Sequence, residues 1–279
     1  MTDSSSRVLF IVGASTGFGL SMVKVFLEQG FRVAATSRSK QQLVNAVGET
    51  DTNKFIALEN NLKEDEAINN TIQDVISHFG RIDIVFCNAG YGMSGTTEEV
   101  SDQNLRDMFD INFFSYASVL RHVTKYLSSG AHVFLLSSSS GFSTFPCGIA
   151  YNTSKFAVCA LGESYAAEVK AFGIKVTNLN SGAFTTSFAS GMKQPELNLR
   201  QKYKDIHDQC RAMVKALPFK DTTKFAELVL ELVNSDKPTA PINLFVGADA
   251  NEMAHEKIAQ LQKDLKDNEE FTINRFLTN

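Results

Sequence analysis

A chain of 279 residues with 43% hydrophobic residues, 22 Phe and no Trp is long enough to bury one large core. No Pro/Gly/Ser-rich linker divides it, so a single domain spanning 1–279 is expected. The formal charge of −4, with 27 Lys and Arg against 31 Asp and Glu, provides no basic face for nucleic acid and directs attention to a small-molecule partner.

In chain order, residues 2–6 read as a frayed tail and Val8–Val12 as a first strand, too short to span a membrane or to serve as a secretion signal. A helical pattern then covers Gly19–Gln29. The strand Arg32–Thr36 follows, then the strand Phe55–Leu58, the helix Glu64–Phe79, the strand Ile82–Phe86 and the helix Asp102–Leu127. The second half continues with the strand His132–Leu136, the helix Ala150–Phe172, the strand Lys175–Leu179, the helix Thr223–Asn234 and the strand Ile242–Val246. A charged amphipathic helix over Asn251–Asp267 closes the series. Gly30, Gly80, Gly130 and Gly173 follow four of the helical segments, where a left-handed stop favours glycine. Seven short apolar strands, each gap long enough for a right-handed crossover, predict a Rossmann-type, doubly wound α/β fold: a seven-stranded parallel sheet with helices on both faces.

Cys87, Cys147, Cys159 and Cys210 lack metal-ligand or redox-pair spacing, which suits reduced thiols, and the five histidines form no cluster. No metal is expected, and the chain reads as a cytoplasmic protein that neither binds nucleic acid nor enters a membrane.

Directly after the first strand, Gly13-Ala-Ser-Thr-Gly17-Phe-Gly19 opens the first helix, where glycines allow a backbone to approach a pyrophosphate. Tyr151 and Lys155 lie four residues apart at the start of a helical pattern and project from one face. A free tyrosine holds its proton tightly near neutrality; a neighbouring ammonium favours the phenolate and makes the group a usable acid or base.

The glycine spacing, Asn88-Ala-Gly90 after the fourth strand, Asn112 in the next helix, Ser138 after the fifth strand and Tyr151-Asn-Thr-Ser-Lys155 occur in the order of the short-chain dehydrogenase/reductase family, which the chain resembles from Gly13 to Thr186. The resemblance implies hydride transfer between a nicotinamide dinucleotide and a carbonyl or alcohol. Tyr151 then moves the proton, and Lys155 supports Tyr151 and binds the nicotinamide ribose. Ser138 holds the substrate oxygen, and Asn112 helps to hold a water near Lys155. It also implies a cofactor site built from Gly13, Ser15, Thr16, Gly17, Phe18, Gly19, Ser37, Arg38, Asn61, Leu62, Asn88, Ala89, Gly90, Tyr151, Lys155, Gly182, Phe184 and Thr186.

Where an NAD-preferring relative would place a carboxylate, this chain has Ser37 followed by Arg38, whose guanidinium can pair with a 2′-phosphate. NADP(H) is therefore the expected cofactor and NAD(H) the alternative. Asn61 replaces the family's usual Asp at the adenine contact, and Ser181 replaces the usual Pro before Gly182, which puts the rigidity of that loop in question. Residues 184–219, with Phe188, Met192, Leu197, Tyr203 and Met213, correspond to the family's variable, loop-rich substrate lid. Together with Tyr91, Met93, Phe142 and Phe145 they predict an apolar pocket for a hydrophobic ketone, aldehyde or secondary alcohol. Relatives commonly form homodimers or homotetramers. The rival readings are a regulatory protein that senses NADP(H) without turnover, and an epimerase or dehydratase. The joint presence of Asn112, Ser138, Tyr151 and Lys155 favours catalysis over the first, and the glycine spacing disfavours the second.

Overall fold

The computed structural model describes residues 7–49, 51–193, 203–235 and 240–273, with backbone alone at 189 and 190. Strands β1 (Val8–Val12), β2 (Arg32–Ser37), β3 (Phe55–Glu59), β4 (Ile84–Cys87), β5 (His132–Leu136), β6 (Lys175–Ser181) and β7 (Asn243–Val246) form one sheet in the order β3-β2-β1-β4-β5-β6-β7. Every neighbouring pair is parallel. The helices are α1 (Gly17–Glu28), α2 (Lys40–Val47), α3 (Asp65–Phe79), α4 (Asp102–Phe109), α5 (Ser115–Val123), α6 (Ile149–Val169), α7 (Ser187–Ser190), α8 (Lys204–Lys215), α9 (Thr222–Val233) and α10 (Ala248–Thr272).

β1 explains the two-sided core. Side chains alternate across a strand, so Val8, Phe10 and Val12 face one helical layer and Leu9 and Ile11 the other, and all five are fully buried. The first layer is completed by Ile68, Ile72 and Val75 of α3, Tyr116 and Val119 of α5, and Val158 and Tyr165 of α6. The second is completed by Met22, Val23 and Phe26 of α1 and by Phe225, Ala226 and Val229 of α9. Each large side chain so buried contributes about 1.5–3 kcal/mol. This burial on both faces is why the strands read as continuous apolar runs.

The structure departs from the sequence reading in four places. The helix α2 was not anticipated; it buries only Leu43, which leaves almost no amphipathic signal, and Ser39 caps it by accepting the Gln42 N–H at 3.3 Å. The helix expected over 102–127 is interrupted by a π turn at Asp110–Phe114 and ends in a 3₁₀ turn at Thr124–Tyr126. The segment expected to be a loop-rich lid contains α7 and α8. Finally, α10 is longer than expected, and beyond Ala254 it exposes Ile258, Leu261, Leu265 and Phe271.

Because β1 is flanked by β2 on one side and β4 on the other, the connections leave in opposite directions and open a crevice at the strands' C-terminal ends. The loops after β1, β4, β5 and β6 all converge there.

Candidate active site

At the end of β1, the Gly13 N–H donates to Thr36 Oγ1 at 3.0 Å and the Ala14 N–H to Thr36 O at 2.8 Å, fixing the turn against β2. Gly13 has φ +88, and a Cβ there would lie 2.8 Å from Ala89 Cα; one at Gly19 would overlap the Gly13 carbonyl oxygen. Asn88 Nδ2 donates to that same oxygen. The sequence motifs around Gly13 and Asn88 thus form one packed unit. Gly17 lies against Thr186, with only 3.1 Å between its missing Cβ and Thr186 Cγ2. Among the described residues no side chain caps the N-terminus of α1, where Ser15, Thr16 and Phe18 lie; Thr16 Oγ1 instead bonds the Ser187 hydroxyl at 2.9 Å. Open first-turn N–H groups beside glycines without room for a Cβ fit the phosphates of a dinucleotide.

Toward β2 and β3, Ser37 is buried and accepts the Ser39 N–H at 3.2 Å, while Arg38 is exposed and has no hydrogen-bond or ion-pair partner among the described residues. Asn61 is exposed and occupied locally, donating from Nδ2 to Glu64 Oε1 at 2.6 Å and accepting the Lys63 N–H at 3.3 Å. Leu62 packs on the core, so its backbone rather than its side chain is what it offers to a ligand.

The expected reacting end is built on α6. Lys155 is buried, and its Nζ donates to Leu136 O at 2.8 Å, 5.8 Å from the centroid of the Tyr151 ring. Burial pushes the Lys155 pKa down to about 8. The Tyr151 phenol goes the other way: burial pushes it up to about 12, against a smaller downward effect of the Ser138 hydroxyl. In the protein alone burial therefore prevails, and the lowering expected from a neighbouring ammonium is not seen.

Ser138 also caps the 3₁₀ turn Ser139–Gly141, accepting the Ser140 N–H at 3.2 Å, whereas Ser137 turns away to the Lys155 carbonyl. Asn112 occupies the π turn and is fully buried. Its Oδ1 accepts the Tyr91 N–H at 3.1 Å, and its Nδ2 donates to Tyr91 O at 3.0 Å and Ser154 Oγ at 3.1 Å. Such wide turns recur at functional sites. Between Asn112 and Lys155 lies Gly90, whose absent Cβ would approach Asn112 Oδ1 to 3.2 Å and Lys155 Nζ to 3.6 Å.

After β6, Gly182, Phe184 and Thr186 edge the same crevice. The Phe184 ring packs on Phe18 and Phe225, and its N–H makes no hydrogen bond among the described residues. Thr186 accepts the Phe188 N–H at 3.2 Å. The Phe188 ring then covers Tyr151 and fills the space left by Gly92, while Lys193 pairs with Met93 across an isolated bridge.

Tyr91 and Met93 pack in one apolar cluster with Tyr151. Phe142 packs on Phe245 instead, Phe145 packs on Gly148, Met213 is exposed on α8, and Leu197 lies outside the described residues. The helix α8 docks through polar groups: His207 meets Glu99 at 2.8 Å, Tyr203 donates to Glu98 at 2.6 Å, and Cys210 donates to Pro146 O at 3.2 Å. Sequence reasoning named neither Glu99 nor the Lys220–Asp249 pair beside Ala183. No local motif marks them, since each partner lies far away along the chain.

Known proteins are similar to this chain in sequence and fold. The sequence profile of the short chain dehydrogenases matches residues 7–197. An uncharacterised oxidoreductase of Schizosaccharomyces pombe is 27% identical over 96% of this chain and 91% of its own. The crystal structure of a short-chain dehydrogenase from Streptomyces avermitilis superposes with a TM-score of 0.87 at 26% identity, covering 98% of this chain and 100% of that one. A short-chain dehydrogenase/reductase from Burkholderia phymatum, solved in complex with NAD, superposes at 0.78 with 20% identity, over 94% and 97% of the two chains. Among the described residues no helix is long and apolar enough to cross a membrane. With the profile matching well over half its length, the chain belongs to the short-chain dehydrogenase family and is an oxidoreductase with a nucleotide-binding fold.

Proposed function

We propose that the protein reduces a hydrophobic ketone or aldehyde, or oxidises the corresponding secondary alcohol, with NADP(H) as cofactor. The observation that carries this reading is the gathering of Ser138, Tyr151 and the buried Lys155 at one place, with Lys155 Nζ 5.8 Å from the Tyr151 ring centroid and the glycine gap at Gly90 leading to Asn112. NADP(H), when bound, supplies or accepts the hydride. The glycine turn of residues 13–19 and the open N-terminus of α1 would hold its pyrophosphate, Asn61 and Leu62 its adenine, Asn88, Ala89 and Gly90 its adenosine side, and Gly182, Phe184 and Thr186 its nicotinamide end.

Arg38, exposed and without a partner among the described residues, would pair with the 2′-phosphate, and Ser37 brings no carboxylate to oppose it. A solved relative of the same fold holds NAD, so the choice of NADP(H) rests on these two positions. Ser138 and Tyr151 converge on one substrate oxygen, Ser138 orienting it and Tyr151 giving or taking its proton. Lys155, which donates to the Leu136 carbonyl, would turn to the nicotinamide ribose and bring positive charge to the phenol. Asn112 fixes the loop at Tyr91 and the wall beside Lys155. Tyr91, Met93 and Phe188 surround Tyr151 with apolar surface, which supports a hydrophobic substrate. The segment 184–219 is assigned as the lid, the assembly as a homodimer or homotetramer, and the location as cytoplasmic.

The test is turnover of NADPH with a panel of hydrophobic ketones and aldehydes, for wild type and Tyr151→Phe. Nucleotide binding with no turnover across the panel would support a sensor instead.

A further inference from the structure

The strand β6 runs into Ser181-Gly182-Ala183-Phe184, the loop that lacks the proline usual in the resembled family. Its backbone is nevertheless held at Gly182, Ala183 and Thr185. The Gly182 N–H donates to Val246 O at 3.0 Å and the Thr185 N–H to Lys220 O at 2.7 Å. Ala183 is held on both sides: its N–H donates to Asp249 Oδ2 at 2.7 Å, and its carbonyl accepts from the Lys220 N–H and from Lys220 Nζ, each at 3.2 Å. Lys220 Nζ closes the arrangement by donating to Asp249 Oδ1 at 2.5 Å.

Two glycines make room for that carboxylate. A Cβ on Gly182 would overlap the Asp249 carboxylate. One on Gly247, at φ +109, would lie 2.6 Å from Asp249 Oδ1 and 3.0 Å from Lys220 Nζ. Both charged side chains are mostly buried, at 29% and 14% exposure, so solvent screens the pair less than it would a surface bridge. Burial opposes the charge on Asp249, but the hydrogen bonds from Ala183 and Lys220 outweigh it and hold the carboxyl below its usual range.

Both polar groups of Ala183 are thus engaged, whereas the next N–H, that of Phe184, makes no hydrogen bond among the described residues and is left for a ligand. We infer that Lys220 and Asp249 are positioning residues for the nicotinamide: their ion pair takes the place of the proline's rigidity and sets the direction in which the Phe184 N–H and Thr186 point. The pair also joins three parts of the fold, since Lys220 lies in the segment between α8 and α9 and Asp249 in the first turn of α10. This inference rests on the proposed placement of NADP(H) along residues 182–186.

The test compares two ligands by calorimetry: NADPH, and 2′-phospho-ADP-ribose, which lacks the nicotinamide. Lys220→Met and Asp249→Asn should each weaken NADPH about tenfold or more while leaving 2′-phospho-ADP-ribose within about twofold. Lys220→Arg, which keeps charge and donors, should stay close to wild type for both. Thermal unfolding checks that each variant is folded; if Asp249→Asn does not fold, Lys220→Met still carries the comparison, because it keeps the Asp249–Ala183 bond.

Equal weakening of both ligands would overturn the inference in favour of a general structural role, and unchanged NADPH affinity would overturn it outright. Wild-type protein that binds neither NADPH nor NADH would overturn the cofactor reading itself, and that result is seen before any variant is made.

Discussion

Phe188 covers Tyr151, ring centroid to ring centroid 5.0 Å at an interplanar angle of 51°. The residue that overhangs the proposed pocket therefore touches the residue proposed to move the proton. Replacing Phe188 by Ala removes one apolar wall, worth about 1–2 kcal/mol of contact, and should raise KM for a hydrophobic carbonyl about tenfold. Gly92→Ala should act in the same direction, because its Cβ would come within 2.6 Å of Phe188 Cζ and displace the ring. Steady-state kinetics on both variants checks this; an unchanged KM in both would remove Phe188 from the pocket.

Tyr151→Phe deletes one hydroxyl and leaves the packing. The expected loss in turnover is on the order of 10²–10⁴-fold, with NADPH affinity within about twofold of wild type. Burial holds the wild-type phenol protonated up to about pH 12 in the free protein, so Tyr151 stands ready as an acid. Alcohol oxidation, which needs the phenolate, should then rise with pH from neutrality, and a flat oxidation profile would count against Tyr151 as the base.

Arg38→Ala should weaken NADPH by about tenfold or more, the usual contribution of a charge-assisted hydrogen bond to phosphate being about 1.5–3 kcal/mol, and should leave NADH nearly unchanged. The two dissociation constants, measured at fixed ionic strength, decide it. Parallel losses would assign Arg38 a general role at the rim rather than recognition of the 2′-phosphate.

Lys155 gives a prediction about stability. Its pKa is lowered from 10.5 to about 8 by burial, so between those values the unfolded chain binds more protons than the native one, and native stability rises with pH across that window. The difference corresponds to about 3 kcal/mol at full expression. Below pH 8 both states carry the proton and the native state bears the whole penalty. Denaturant unfolding of the nucleotide-free protein between pH 7 and 10.5 should show this rise for wild type and not for Lys155→Met. Parallel profiles would mean that the ammonium is solvated.

The sheet was legible because its strands are buried on both faces: a run such as Val8–Val12 has no polar residue to blur it. The glycine turn, Asn88–Gly90 and Tyr151/Lys155 were legible because each is a short local pattern between such runs. What stayed hidden depends on contacts across the chain. The helix α2 presents one buried residue, too few to register as a periodic pattern. The π turn at Asn112 is required by groups on two other elements, the Tyr91 backbone and Ser154. The departure at Ser181 was visible as a missing proline, but its replacement by Lys220 and Asp249 was not, since each lies dozens of residues beyond the loop they secure.

The hydroxyls of Thr16 and Ser187, 171 positions apart in sequence, meet at 2.9 Å. Each has a single proton to give. With a phosphate oxygen accepting the proton of Thr16, Ser187 becomes the donor of the pair; without one, either can donate. The charge of a nucleotide at the head of α1 would therefore choose the polarity of a bond at the root of the segment overhanging Tyr151. In that event a ligand at the first turn would set the direction of a hydrogen bond at Ser187, the residue that opens α7.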